Sequence, residues 1–98
     1  MLKSERNFQI EVFALLVNLF LIVFLKLNTF DAAIILIVSF AVLSLEILNT
    51  AIEKVCDIIQ PKFDLRIKVI KDISAAAVVL MALASVVVGV LVYWKYLF

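Results

Sequence analysis

The sequence predicts an all-α integral membrane protein in which three transmembrane helices per subunit form a helical bundle. Of its 98 residues, 67% are hydrophobic, and there is one glycine and one proline. A soluble domain of this length cannot bury so much apolar surface, so lipid must be the solvent for most of the chain. The apolar residues form three segments, separated by a short and a longer polar connection. We expect a single domain.

The three spans are predicted at about residues 8–27, 32–52 and 73–95, with a cytoplasmic loop over residues 53–72. The uncharged part of the first span, residues 12–25, rises only about 21 Å and therefore needs flanking apolar residues to cross the bilayer. A secretory signal is the alternative for this segment. No small-x-small cleavage site follows it, and two more apolar segments do, so we interpret it as a span.

Two connections are predicted between these spans. Residues 26–31 form a tight turn with Asn and Asp near its end. The second helix is expected to continue beyond the membrane surface towards Pro61. The third span carries a face of small residues, which suits either close helix packing within the bundle or an oligomer. These residues are Ala75, Ala82, Ser85 and Gly89.

The positive charges predict the orientation of the chain. Seven basic residues lie on one side of the predicted membrane and two on the other, namely Lys3, Arg6, Lys54, Lys62, Arg66, Lys68 and Lys71 against Lys26 and Lys95. Since cytoplasmic loops carry the excess of lysine and arginine, the N-terminus is predicted inside and the C-terminus outside.

The chain is organised around residues 43–57, where polar side chains enter the second span. Glu46, Asn49, Glu53 and Asp57 are spaced three and four residues apart, which places them within about 80° of the helix circumference. Ionisable groups at membrane depth cost roughly 2.5 kcal/mol or more each and usually face a polar cavity or a partner. This column predicts a site for a cation, a polar substrate, or both.

The composition limits the chemistry of such a site. The formal charge of +1 gives no reason to expect nucleic-acid binding. There is no histidine, and Cys56 is the single cysteine, so histidine-dependent catalysis and an intrachain disulfide are excluded. The remaining oxygen and amine groups fit magnesium and phosphate better than transition metals. The sequence has no Walker-type phosphate loop.

Three groups of residues meet at the predicted cytoplasmic interface: Glu5 and Glu11 enter the first span, Glu46, Asn49 and Glu53 leave the second, and Lys71 and Asp72 open the third. Two carboxylates can hold Mg²⁺, a lysine can neutralise phosphate oxygens, and a third carboxylate can accept a proton from an attacking hydroxyl. That arrangement suits phosphoryl transfer to an alcohol. The alternative is that these charges form salt bridges at the membrane edge, and for Lys71 and Asp72 alone we favour it. Glu46 lies inside the span and is harder to explain in that way.

Three motifs carry a resemblance to a known family: SERNFQIE at residues 4–11, LEILNTAIEKVCD at residues 45–57 and KVIKDISAAAVVL at residues 68–80. The chain resembles the small integral-membrane bacterial diacylglycerol kinase and undecaprenol kinase family over nearly its whole length. The resemblance implies a homotrimer in the bacterial inner membrane, with its active site on the cytoplasmic side. It also implies that MgATP is used to phosphorylate the hydroxyl of a membrane lipid.

The resemblance implies roles for individual residues. Glu46 looks like the general base on the lipid hydroxyl, with Asn49 beside it. Glu5 and Glu53 look like the Mg²⁺ ligands that bring in the nucleotide phosphates.

Further residues match the family around the nucleotide. Lys71 and Asp72 resemble the pair that contacts ATP, Lys71 on phosphate and Asp72 towards the rest of the molecule. Glu11 matches a glutamate near the active site, with a role that is less defined. Ser74 takes the place of the family's usual small residue after K-D-x, and we expect it to be harmless. The family's amphipathic surface helix before SERNF is expected to be absent, which would lower ATP affinity.

The sequence leaves two substrates and two other functions open. The motifs ERNF and KDISAAA favour undecaprenol, with diacylglycerol close behind. A non-catalytic truncated membrane paralogue that only assembles or binds lipid is the main alternative. A small proton-coupled exporter would explain Glu46 but gives no purpose to Glu53, Lys71 and Asp72.

Overall fold

The computed structural model describes the backbone of residues 2–98 and the side chains of residues 8–98. It contains three helices, α1 (Leu2–Phe24), α2 (Thr29–Ile59) and α3 (Leu65–Leu97). The described residues form no strand, which confirms the prediction of an all-α fold. The chain is a rod of 51 × 19 × 18 Å.

The second helix is the centre of the bundle. Helix α2 packs against both α1 and α3, whereas no described Cα atom of α1 lies within 8 Å of one in α3. The outer helices are instead linked by a side-chain hydrogen bond, in which the Tyr93 hydroxyl donates to Asn18 Oδ1 at 2.9 Å. Asn18 Nδ2 in turn donates to Ser39 Oγ of α2 at 3.2 Å. This polar link ties all three helices together inside an otherwise apolar segment.

Burial is distributed unlike that in a soluble protein. The buried hydrophobic side chains within residues 8–98 are few, whereas large apolar residues are exposed along every helix. Two carboxylates, Asp31 and Glu46, are buried. Since large apolar residues face outwards along every helix, lipid or other subunits must cover the surface. The buried apolar residues are Ile35, Val42, Leu43, Cys56, Val78 and Val92.

Two of the helices are long and apolar enough to cross a membrane, namely α2 with 31 residues and α3 with 33. The apolar part of α1, Phe8–Phe24, is shorter than 18 residues. It rises about 26 Å, which is less than the roughly 30 Å of hydrocarbon in a typical bilayer. A third crossing therefore remains a prediction.

The connection between α1 and α2 is a short capped turn. Lys26 has φ 56°, in the left-handed region, and the Leu27 N–H bonds back to the Ile22 carbonyl at 3.0 Å. This is the pattern that commonly ends helices. Asn28 then caps α2 by accepting the Asp31 N–H at 2.8 Å. The turn is as short as predicted, but Asp31 already belongs to the first turn of α2.

The connection between α2 and α3 is much shorter than the predicted loop over residues 53–72. Helix α2 continues to Ile59, as expected from its approach to Pro61, and α3 already begins at Leu65. Polar composition marks the edge of the apolar segments and does not mark the helix ends. These polar residues continue the helices beyond the apolar segments, and residues 60–64 alone form the connection.

Asp64 fixes the start of α3. Its side chain accepts the Arg66 N–H at 2.9 Å, and the Arg66 guanidinium donates to both of its oxygens at 2.9 and 3.2 Å. These hydrogen bonds from Arg66 hold the pKa of the Asp64 carboxyl well below its usual range.

The small residues of α3 face the interior of the same chain. Ala75, Ala82, Ser85 and Gly89 are all half-buried. Ser85 and Gly89 line a cavity of about 90 Å³ whose wall also includes Glu11. A Cβ added at Gly89 would meet nothing within 4 Å, so close packing does not explain this glycine, and an oligomer contact at this face remains a prediction.

Candidate functional site

The inner face of α2 positions the predicted site. Glu46 is 8% exposed, Asn49 and Glu53 are half-buried, and Cys56 is buried. Residues three and four apart lie on the same helix face, so this face turns consistently towards the other helices. Asp57 leaves the column, because its side chain is 62% exposed. The predicted row of polar side chains therefore runs from the bundle interior to the surface.

Glu46 lies among like charges. Its electrostatic neighbours are Glu11 of α1 and Glu53, which lies about two turns further along α2. Within α2, the Thr50 hydroxyl donates to the backbone carbonyl oxygen of Glu46 at 3.0 Å. Repulsion between nearby carboxylates is relieved by a proton or a bound cation. The structure thus brings together carboxylates from two helices that the sequence had placed in one site.

A hydrogen-bonded relay runs from α3 to this cluster. The Ser74 hydroxyl donates to Asn49 Oδ1 at 2.6 Å, and Asn49 Nδ2 donates to Glu53 Oε1 at 3.2 Å. Sequence reasoning treated Ser74 as harmless and missed this contact. Ser74 follows Lys71 by three residues and so shares a helix face with it, but this spacing does not predict a contact with Asn49 on another helix.

The two residues that open α3 lie in different surroundings. Lys71 Nζ forms a 2.7 Å ion pair with Asp57 and interacts electrostatically with Glu53, so it joins the carboxylate cluster. Asp72 instead pairs with Lys68 on the same helix at 2.7 Å, and its side chain is 64% exposed. Both residues of the predicted nucleotide-contacting pair thus form ion pairs, but Lys71 interacts with the carboxylate cluster, whereas Asp72 pairs with a residue of its own helix.

The predicted metal ligands are described in part. Glu53 is in the cluster, whereas the side chain of Glu5 lies outside the described residues. Among the described residues, no three His, Cys, Asp or Glu side chains are assembled as a metal-binding group. Mg²⁺ is commonly held by one or two carboxylates together with substrate phosphates, so such a group is not required. Carboxylate oxygens such as those of Glu53 are the donor type that a hard cation prefers.

A second polar cluster, which the sequence did not predict as a unit, lies at the other end of α2. Asp31 accepts hydrogen bonds from Tyr96 Oη at 2.7 Å and from Lys95 Nζ at 3.0 Å. The Tyr96 hydroxyl also accepts the Asn28 N–H at 3.1 Å. This cluster fastens the end of α3 to the beginning of α2.

The fold and the cluster together define a class: an all-helical membrane protein with acidic side chains and a lysine gathered at one end of its apolar helices. The chain belongs to the prokaryotic diacylglycerol kinase family, whose sequence profile matches residues 1–93. This confirms the resemblance seen in the motifs. The family and the names of its relatives indicate a lipid kinase, and the two apolar helices agree with a membrane protein.

Two curated relatives show how far the similarity extends. The chain is 35% identical over 91 residues to the undecaprenol kinase of Bacillus subtilis (strain 168), covering 93% of this chain and 74% of that protein. It is 36% identical over 87 residues to the diacylglycerol kinase of Synechocystis sp. (strain ATCC 27184 / PCC 6803 / Kazusa). That alignment covers 88% of this chain and 50% of the relative, so the chain spans about half of its length. No solved structure matches the chain.

Proposed function

We propose that this protein is an ATP-dependent phosphotransferase with an alcohol acceptor, which transfers the γ-phosphate of ATP to the hydroxyl of a membrane lipid. The observation that carries the proposal is the placement of Glu46. It is a buried carboxylate inside an apolar helix, with Asn49 about one turn and Glu53 about two turns further along the same face. A lipid hydroxyl reaches this depth from the bilayer, whereas nucleotide phosphates reach the polar end of the cluster from water.

Glu46 acts as the general base. As the lipid hydroxyl oxygen forms its bond to the γ-phosphorus, the hydroxyl proton moves to the Glu46 carboxylate. The bond between the γ-phosphorus and the oxygen bridging to the β-phosphate breaks, and ADP leaves with that electron pair. Burial of Glu46 keeps water away from the reacting phosphorus, which favours transfer to lipid over hydrolysis.

The polar end of the cluster holds the nucleotide. Glu53, together with Glu5, would hold Mg²⁺, which when bound would offset the negative charge of the nucleotide phosphates. Lys71 binds phosphate, and to do so its ammonium group must leave the Asp57 carboxylate. Asp72 lies towards the rest of ATP. Support for this assignment comes from Lys71, which is joined to the same cluster as Glu53.

Glu11 adds negative charge to the site from α1. Its electrostatic interaction with Glu46 supports a place near the reacting groups. A carboxylate in that position would favour cation binding, and the bound cation would attract α1 towards the reacting groups.

The exposed apolar surface supports a proposal for the assembly. We place the chain in the bacterial inner membrane as a homotrimer, with the site on the cytoplasmic side. The excess of basic residues beside the carboxylate cluster supports this orientation, and the apolar outer faces of all three helices support burial in lipid and against other subunits.

The acceptor is undecaprenol, with diacylglycerol as the second candidate. The test is a radiolabelled-ATP assay on the purified chain in lipid bicelles, with the two lipids offered separately. Label in undecaprenol supports the proposal in full, and label only in diacylglycerol corrects the acceptor. No label in either lipid, from a well-formed oligomer, would contradict a kinase and favour a non-catalytic paralogue that assembles or binds lipid.

A further inference from the structure

The relay from Ser74 to Glu53 crosses between helices. Ser74 belongs to α3, whereas Asn49 and Glu53 lie one turn apart on α2. Its first hydrogen bond is 2.6 Å long and its second 3.2 Å, and the side chains of all three residues are half-buried. Hydrogen bonds in such a partly dry environment hold side chains in one arrangement more firmly than they do in open water.

The relay fixes which way the Asn49 amide points. An asparagine amide has a donating nitrogen and an accepting oxygen, which exchange places when the group turns over. The Glu53 carboxylate can only accept, so the nitrogen must face Glu53 and the oxygen must face Ser74. The Ser74 hydroxyl satisfies that oxygen by donating to it. Without the hydroxyl, the amide oxygen has no donor in this contact, and its orientation depends on Glu53 alone.

We propose that Ser74 is a positioning residue that acts through Asn49 to hold the Glu53 carboxylate in place for cation binding. This rests on the proposed function of Glu53. Because Ser74 follows Lys71 by one helical turn, the relay also fixes the distance between the cation ligand on α2 and the phosphate-binding lysine on α3. Ser74 therefore sets the geometry in which Mg²⁺ and phosphate are bound together.

The test compares Ser74→Ala with Ser85→Ala in bicelles. Ser85 is also a half-buried serine of α3, but its hydroxyl donates to the Ala82 carbonyl of its own helix at 2.7 Å. Both variants lose one hydroxyl from the same helix, so the difference between them reports the relay. Mn²⁺ serves as the probe, and its binding is measured by electron paramagnetic resonance without lipid substrate.

Ser74→Ala is expected to weaken Mn²⁺ binding about three- to tenfold, the usual effect of losing one hydrogen bond, with Ser85→Ala unchanged. In the kinase assay, the Mg²⁺ concentration for half-maximal rate should rise by the same factor. The KM for lipid should stay unchanged. Ser74→Thr retains a hydroxyl and should restore Mn²⁺ affinity, which separates the hydrogen bond from a general packing defect.

A second comparison uses Asn49→Ala as the background. If Ser74 acts through Asn49, Ser74→Ala should cause no further loss of Mn²⁺ affinity once Asn49 is gone. Equal Mn²⁺ affinity of wild type and Ser74→Ala, a full additional loss in the Asn49→Ala background, or no Mn²⁺ binding by wild type would each overturn the proposal. Absence of lipid phosphorylation with intact Mn²⁺ effects would instead contradict the proposed kinase activity and leave the positioning role supported.

Discussion

Helix α2 buries two carboxylates, Asp31 in its first turn and Glu46 near its middle, where the acidic cluster begins, and the two are treated in opposite ways. Asp31 is 4% exposed and accepts hydrogen bonds from Lys95 and Tyr96. Glu46 is 8% exposed, and its electrostatic neighbours are Glu11 and Glu53. The two residues are about 22 Å apart along the helix. One carboxylate is neutralised by the chain, and the other is surrounded by charges of its own sign.

The difference distinguishes a structural carboxylate from a reactive one. A buried anion with a cation and a hydroxyl beside it is stable as long as both partners remain, and removing one of them destabilises the folded protein. A buried anion among other anions is relieved when a proton or a cation arrives, so its state changes with the ligand. We therefore expect substitutions at the Asp31 end to change stability and substitutions at the Glu46 end to change turnover.

The largest expected effect comes from exchanging each buried carboxylate for its amide. Glu46→Gln removes the proposed base and should lower turnover about 10²- to 10⁴-fold, with MgATP binding retained. Asp31→Asn should leave turnover per folded molecule near that of wild type and lower the unfolding temperature. Lipid phosphorylation and nucleotide binding are measured on both. Equal loss of nucleotide binding in Glu46→Gln would show that Glu46 is not the base.

The next largest effect tests which carboxylate near Glu46 binds the cation. Glu53→Gln should raise the Mg²⁺ concentration needed for half-maximal rate by about tenfold or more, because a cation ligand is lost. Asp64→Asn, in the connection outside the carboxylate cluster, is the control and should leave the Mg²⁺ requirement unchanged. The measurement is the kinase rate across a Mg²⁺ titration. A Glu53→Gln enzyme with the wild-type requirement would remove Glu53 from the cation site.

A smaller effect is expected at the Asp31 end from a single hydroxyl. Tyr96→Phe removes the group that donates to Asp31 and accepts from the Asn28 N–H, and should lower the unfolding temperature. Tyr93→Phe removes one contact, to Asn18, and should lower it less. Thermal unfolding in detergent, followed by circular dichroism, compares the two. A larger loss in Tyr93→Phe would mean that the link in the middle of the bundle matters more than the Asp31 cluster.

The smallest effect concerns the turn beyond the Glu46 end. Since hydrogen bonds from Arg66 hold the pKa of Asp64 below its ordinary value of about 3.9, the folded state binds this proton less readily than the unfolded chain. The stabilisation is fully present above that ordinary value and is lost as pH falls through the lower folded value. Asp64→Asn should reduce the acid sensitivity of unfolding between about pH 5 and pH 2. Arg66→Gln should do the same, and a wild-type acid response in both would contradict the assignment.

Much of the acidic site could be predicted from spacing. Glu46, Asn49 and Glu53 share one face of α2 because three- and four-residue steps return to the same side of any helix. The burial of Glu46 also followed from its position within an apolar segment. Its proximity to Glu11 was expected only because both lie at the same predicted membrane depth.

Other contacts could not be predicted in this way. The Ser74–Asn49 hydrogen bond depends on how α3 is rotated and shifted against α2, and sequence spacing within one helix carries no such information. The ion pair between Lys71 and Asp57 has the same origin. The connection between α2 and α3, residues 60–64, is shorter than the predicted cytoplasmic segment of residues 53–72, because polarity reports contact with water, whereas the helix ends are set by Pro61 and by the Asp64 cap.

The sequence by itself determined the all-α fold, the family and the row of polar residues on α2, since these depend on composition, motifs and helical periodicity. Tertiary structure decided which buried carboxylate is neutralised. Asp31 meets Lys95 and Tyr96 because α3 is long enough to return along α2 to its beginning. Glu46 meets Glu11 because α1 packs against α2 beside Glu46. Charge pairing between helices depends on their relative position, which is a property of the packed bundle.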